Sequence, residues 1–497
     1  MKQNKTNLNG KNSFWLKTTP IVFLSLLSLS SCEEKVTEVN EVKIKNESFS
    51  FQLPGKKGMI THHRTSPILP FENSYLTLPE DYTDSSFTLN HDYPRMGTVS
   101  TPATFPWKAV TGNSVITKAN SLAYVDSLKQ YITPDMKSLL FNESNVNSVE
   151  KKWYESIWLS AVREPIHGMY IGSSFPAKTL GETQDESLTT YVYTMYDKTA
   201  AQTLNNIWGT DSLNAYNPNL TDAEKTQYPE GSVIVKFAFI NYNNTTNDWA
   251  TLENAATWNV YTDVIAGNQS PLKNAVPNEQ TLKLMQCDII VKDSEAAPET
   301  GWVFSTLVYD KNAVGNDGWD RMIPLGATWG NDPTLAAEIS NEKALADAVV
   351  PAPIDTTLVE NWINPAAPSY AIQTLGWGGR LSGPNDGAVF NTGPITTSVS
   401  GHKFKNGGVS TVGCLGCHST AQYQSQSFLL PVLFTSPAGG NPLVLDPGTE
   451  IWNNWFRNND GKTPFDTGKG QIGLDYDMVT SFKAIPAWQA AMSNLKK

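Results

Sequence analysis

Four cysteines, six histidines and no Lys/Arg-rich tract limit what this 497-residue chain can be. So few cysteines cannot staple a protein of this length, so no disulfide framework is expected. The formal net charge is −11, from 37 basic and 48 acidic residues, and a basic stripe for nucleic acid is missing. Long apolar runs are also missing. The strongest, Ile21-Val22-Phe23-Leu24-Ser25-Leu26-Leu27, is too short for a permanent membrane helix. No internal repeat is evident. Fifteen tryptophans, 34 glycines and 30 prolines instead suggest a loop-rich, largely β protein with aromatic packing.

The apolar run follows Lys2, Lys5, Lys11 and Lys17 and ends in Leu29-Ser30-Ser31-Cys32. A basic start, a short apolar stretch and small residues form a secretory signal, so the protein is exported. A cysteine directly after Leu-Ser-Ser has the form of a bacterial lipobox. It predicts a signal peptide over 1–31 and Cys32 as the lipidated first residue of the mature chain. That would anchor the protein to a membrane on the periplasmic or cell-surface side. An ordinary signal peptide cut near Cys32 is the alternative.

Cys414-Leu415-Gly416-Cys417-His418 reads C-x-x-C-H, the attachment signature of a c-type haem. Two thiols at this spacing can each add to one haem vinyl group, and the adjacent histidine can then coordinate the iron. The expected cofactor is one covalent haem c, held by Cys414 and Cys417 with His418 as axial ligand. A zinc ribbon would need a second ligand pair, and a thioredoxin-like dithiol would need a cytosolic βαβ context. The chain offers neither, and chance is the remaining alternative. Cys287 lies in an apolar run and reads as a small buried hydrophobe.

Residues 32–50 are polar and read as a tether. The stretch 51–186 reads as loop-like up to 116, then helical over 119–141 and 147–163. The first helix rests on Leu122, Val125, Leu128 and Ile132, the second on Trp153, Ile157 and Ala161, closed by Pro165. Between 187 and 325, β-branched and aromatic runs separated by turn residues predict an antiparallel β domain. Residues 326–497 read as a loop-rich region carrying the haem motif and a short helix over 486–492. The fold class is therefore α+β and mainly antiparallel β: a sheet or sandwich domain with amino-terminal helices and a loop-rich haem-binding segment.

Within the strand region, Lys236 is the only charge in Val233–Ile240, whose two faces are otherwise apolar. Burial would push such an amine toward its neutral, nucleophilic form, whereas a lysine at a strand edge would snorkel to water. Asp288 stands on the mixed face of Leu284–Val291, opposite the apolar face of Met285, Cys287, Ile289 and Val291. A carboxylate there could line a cofactor pocket and accept protons, or face solvent on an antiparallel sheet. Met478, downstream of His418, is a candidate second axial ligand. His62, His63, His91, His167 and His402 share no metal-ligand spacing. Each reads as a surface or core residue, with service as a sixth iron ligand or in a second metal site as the alternative.

Tyr228-Pro229-Glu230-Gly231-Ser232-Val233-Ile234-Val235-Lys236 resembles the F-x-D/E-G-T-x-x-V-K segment of the cytochrome P-460 and cytochrome c′-beta family. Cys287–Asp293, followed by Gly301-Trp302-Val303-Phe304, resembles its next two strands, and C-x-x-C-H comes last in both. The likeness covers roughly 228–310 and 411–425, so the chain looks like an enlarged lipoprotein relative. Phe237 departs from the family, which usually has an acidic residue there. The resemblance implies a mainly antiparallel domain around one c-type haem with an open distal side. It also implies a porphyrin crosslink at Lys236 and a carboxylate at Asp288 that assists oxidation of small nitrogen compounds. Here Asp replaces the family's Glu, with a shorter reach. The expected function is that of an exported c-type cytochrome performing redox chemistry or electron transfer. Its partner would be a redox protein, or a small-molecule ligand or substrate. A gas-binding haem protein, or an interaction lipoprotein in which haem is secondary, are the alternatives.

Overall fold

The computed structural model describes residues 68–142, 153–241, 250–267, 275–338, 357–385, 413–424, 450–465 and 470–496, apart from 85, 100–103, 176, 179, 182, 266 and 373. It also describes short strands at 390–391, 398–399, 402–403, 408–409, 432–434 and 442–444. The expected signal peptide, the tether, Cys32, His62 and His63 lie outside the described residues.

One antiparallel sheet dominates a mixed α+β architecture, as the run of β-branched and aromatic segments requires. Its strands are β1 (Trp153–Tyr154), β2 (Tyr170–Phe175), β3 (Leu188–Asp197), β4 (Val233–Asn241), β5 (Thr257–Thr262), β6 (Asn278–Lys292), β7 (Trp302–Tyr309), β8 (Met322–Thr328) and β9 (Asn361–Ile363). They lie in the order β1-β3-β4-β6-β7-β8-β9, with β2 paired to β3 and β5 to β6. The register aligns Thr194, Lys236, Asp288, Thr306 and Gly326 in one row across β3, β4, β6, β7 and β8. Side chains alternate along a strand, so this row shares a face with Ile234, Ile290 and Phe304.

The opposite face, with Val235, Phe237, Cys287, Ile289 and Leu307, is wholly buried. Helices α1 (Pro106–Thr111) and α2 (Ser121–Phe141) belong to this side. Val125, Leu128 and Ile132 face inward as their spacing predicts, while Leu122 is exposed. Lys129 of α2 donates to the carbonyls of Asp320 and Met322. The Trp319 indole, packed against Phe237, donates to Thr133 Oγ1. Burial pushes the Cys287 thiol well up, which keeps it an inert hydrophobe. The core is continuous through the chain: Trp107, Phe237 and Leu381 belong to one cluster.

The helix expected over 147–163 is overturned in its described part, 153–163. Trp153 and Tyr154 form β1, turns follow, and Trp158 has a φ of 66°. Residues 153–160 are buried throughout rather than on one face, so an i, i+4 recurrence of apolar groups carries no helical meaning here. Their backbone groups bond instead to the segment before α1: Trp158 N–H to Pro70 O and Glu155 N–H to Asn90 O. Its described residues, 68–105, hold no helix or strand, as expected. The loop-like reading up to 116 is overturned at α1, which Pro106 opens in the first turn, where its missing N–H costs nothing. The tail forms a helix, Ile485–Leu495.

His91 and His167 are core residues. His167 stacks on Trp258 at 4.3 Å, and its Nδ1 meets the Asn259 carbonyl at 2.8 Å. Burial lowers His91 to about 3 and His167 to about 4. Glu155 is buried nearby, bonded by the Tyr193 hydroxyl and by Asn90 N–H, and burial outweighs these bonds to raise it to about 7.

The folded chain thus holds a proton on Glu155 that the unfolded chain, near 4.5, has lost. This contribution is fully present below pH 4.5 and disappears as pH rises to about 7. The two histidines act in the opposite sense, gaining stability up to their ordinary value, so the difference between wild type and Glu155→Gln isolates the carboxyl. Urea unfolding is expected to show wild type losing up to about 3 kcal/mol relative to Glu155→Gln between those two pH values. A pH-independent difference would contradict this assignment.

Candidate functional site

Cys414–His418 forms a single short helix. Gly413 precedes it at φ 107°, and a Cβ there would stand 3.0 Å from the Leu381 carbonyl. The close approach lets Cys414 N–H donate to that same oxygen at 2.8 Å, which docks the helix on Arg380–Leu381. Arg380 is itself buried, donating to the Asn331 carbonyl and lying over the Phe456 ring. Within the helix, Cys414 lies three and four residues before Cys417 and His418, so all three side chains share one face. Leu415 is buried, Cys417 and His418 are partly accessible, and neither cysteine is in a disulfide.

The imidazole of His418 lies 4.7 Å from the Phe304 ring, centroid to centroid, at 62°. Its Nδ1 is 2.8 Å from the Tyr476 carbonyl. A carbonyl only accepts, so Nδ1 carries the proton, and in the neutral imidazole Nε2 keeps the lone pair. This is the tautomer that a ligating histidine requires when its other nitrogen is fixed by the protein.

Phe304 stands on the same sheet face as Lys236 and Asp288, so this face carries all three sequence-predicted elements. Asp288 and Phe304 are diagonal neighbours on β6 and β7, roughly 7–8 Å apart. Lys236 and Asp288 sit directly opposite each other on β4 and β6, with Nζ 3.1 Å from Oδ2. Asp288 is therefore not a solvent-facing residue, and Lys236 does not snorkel away. Thr306 Oγ1 donates to Asp288 Oδ1 at 2.7 Å, and Gln286 Nε2 donates to both carboxylate oxygens. Gln286 Oε1 in turn accepts from Asn385 N–H at 2.7 Å. The pair is thus the centre of a hydrogen-bonded polar wall.

Met478 packs against the hydrophobic core. Its N–H donates at 3.0 Å to the Tyr476 carbonyl, the same oxygen that holds His418 Nδ1. Among the described residues, no three His, Cys, Asp or Glu side chains converge as a metal site. His402 lies on the short strand His402–Lys403.

Sequence reasoning missed the segment 474–477, where Asp475, Tyr476 and Asp477 anchor the site to the sheet. The only signal was proximity: Lys292 and Trp302, which bind Asp475, lie inside the strands already singled out. A backbone carbonyl such as that of Tyr476 leaves no trace in residue type.

Removing one partner of the Lys236–Asp288 pair leaves a buried charge, whereas removing both does not. Lys236→Met is expected to lose about 3–5 kcal/mol in denaturant unfolding, and Lys236→Met/Asp288→Leu to recover most of it. Additive losses would mean that the two groups are not coupled. Compared with protein-family models, with curated proteins and with solved structures, the chain gives no match.

Proposed function

We propose that the chain is an exported c-type cytochrome. One haem would be joined to Cys414 and Cys417 and ligated through His418 Nε2. The observation carrying this reading is the bond from His418 Nδ1 to the Tyr476 carbonyl, which leaves Nε2 as the ligating nitrogen of the neutral ring. The donor set fits: a porphyrin brings its own four nitrogens and needs only one axial protein ligand, where zinc would need three or four. The aromatic ring of Phe304 beside the histidine supplies a flat apolar wall.

We further propose redox chemistry on a small nitrogen compound at this face, as the resemblance to cytochrome P-460 implies. When bound, haem iron supplies the one-electron chemistry that no side chain provides. The polar wall favours this over simple gas binding, because Asp288 can receive a proton from a substrate N–H or O–H. Its carboxylate already accepts from Lys236, Thr306 and Gln286, so an incoming proton displaces one of these donors. Lys236 then serves first as counter-charge to Asp288, and a porphyrin crosslink would require it to leave that pair. The resemblance also implies an open sixth coordination site, with Met478, whose side chain packs against the hydrophobic core, as the alternative ligand. Electrons would pass from the iron to an external redox protein, and Cys32 would tether the chain to a membrane.

Matured protein should retain haem under denaturing electrophoresis and lose it in Cys414→Ala/Cys417→Ala. The reduced spectrum should be high-spin, and Asp288→Asn should lower hydroxylamine oxidation by about a hundred- to ten-thousandfold while leaving haem content unchanged. Wild type without covalent haem would overturn the proposal. A sharp low-spin reduced band would overturn the open site alone.

A further inference from the structure

Asp475 and Tyr476 are consecutive non-glycine residues in the left-handed region, with φ of 44° and 69°. Each such conformation costs on the order of 1–3 kcal/mol and persists only where its surroundings over-determine it. Glycine would adopt this turn at no such cost, so the side chains are what the turn retains. Asp475 is fully buried and meets three partners from three different strands or their approaches. Its Oδ1 accepts from Lys292 Nζ and from the Trp302 indole, both at 2.7 Å, and its Oδ2 accepts from Tyr228 N–H at 2.8 Å. Lys292 also lies over the Trp302 ring, 5.1 Å from its centroid. Tyr476 is held in turn: its hydroxyl donates to the Asn459 carbonyl at 2.6 Å, and its ring leans on Phe304.

The one polar group that this turn aims at the site is the Tyr476 carbonyl, which receives the His418 Nδ1 proton. We infer that Asp475 is a positioning residue for His418. It locks the strained turn to the ends of β6 and β7, and so fixes the ring orientation and tautomer of the imidazole. Lys292 acts with it, as the cation that makes the carboxylate a firm anchor. In its consequence for the iron the inference rests on the haem reading; in its consequence for the imidazole it does not. A carbonyl held hard against Nδ1–H makes the imidazole more electron-donating, which favours the ferric over the ferrous state.

The test therefore has two arms. The first uses the full mature chain with both attachment cysteines changed to serine, and reads the neutral tautomer of His418 by nitrogen-15 NMR. Free histidine prefers the proton on Nε2, so the intact turn should show mainly Nδ1–H. Asp475→Asn, which keeps the size but loses the charge, should reverse that majority, and Lys292→Met should move it in the same direction. Glu155→Gln, which alters stability elsewhere, should leave it unchanged. The second arm uses matured protein, where Asp475→Asn should raise the reduction potential at unchanged haem content. Mainly Nδ1–H in folded Asp475→Asn and Lys292→Met, with an unshifted potential, would overturn the inference. Should Asp475→Asn not fold, Lys292→Met alone decides by the same reading. Absence of haem in wild type would sink the function proposed above and leave the tautomer arm standing.

Discussion

Alternation of side chains along β4, β6 and β7 is the constraint on which everything else rests. These strands give one face to α2 and the other to the candidate site, so each residue's side is set by its parity alone. A slip of one residue would drive Lys236 and Asp288 into the apolar layer occupied by Phe237 and Cys287, and would turn those two onto the site. The wholly apolar set of Val235, Phe237, Cys287 and Ile289 forbids that slip. The core that holds the sheet together therefore also fixes where the polar row stands.

Two lysine–aspartate pairs share the site face and do different work. Lys236–Asp288 joins neighbouring strands within the sheet, in a network completed by Thr306, Gln286 and Asn385. Lys292–Asp475 joins the sheet to a distant segment of chain. Buried pairs of this kind add little net stability against an apolar replacement, and their value lies in specifying one arrangement. Here that arrangement brackets Phe304 and the histidine beside it.

Much of this was legible in residue type. The strand runs announced the sheet, and β6 showed its two faces through Met285, Cys287, Ile289 and Val291. Lys236 stood out as a lone charge, although nothing in the sequence said that its partner would be Asp288. Pairing is a property of register, which depends on every residue along both strands. The segment 153–163 was misread because burial on all sides imitates the recurrence of a helix face. The turn at Asp475–Tyr476 was illegible for a further reason. It acts through a main-chain oxygen and through backbone angles that neither residue type prefers.

The oxygen that orients His418 belongs to a residue 58 positions further along the chain. A nascent chain therefore presents the two thiols and the imidazole well before their anchor has been made. Closing a loop of that length costs roughly 4 kcal/mol of chain entropy, which is recovered only when Asp475 finds Lys292, Trp302 and Tyr228. The orientation of the histidine thus depends on contacts that lie far beyond its own position in chain order. Chain order separates the three side chains of the motif from the contact that fixes the ring.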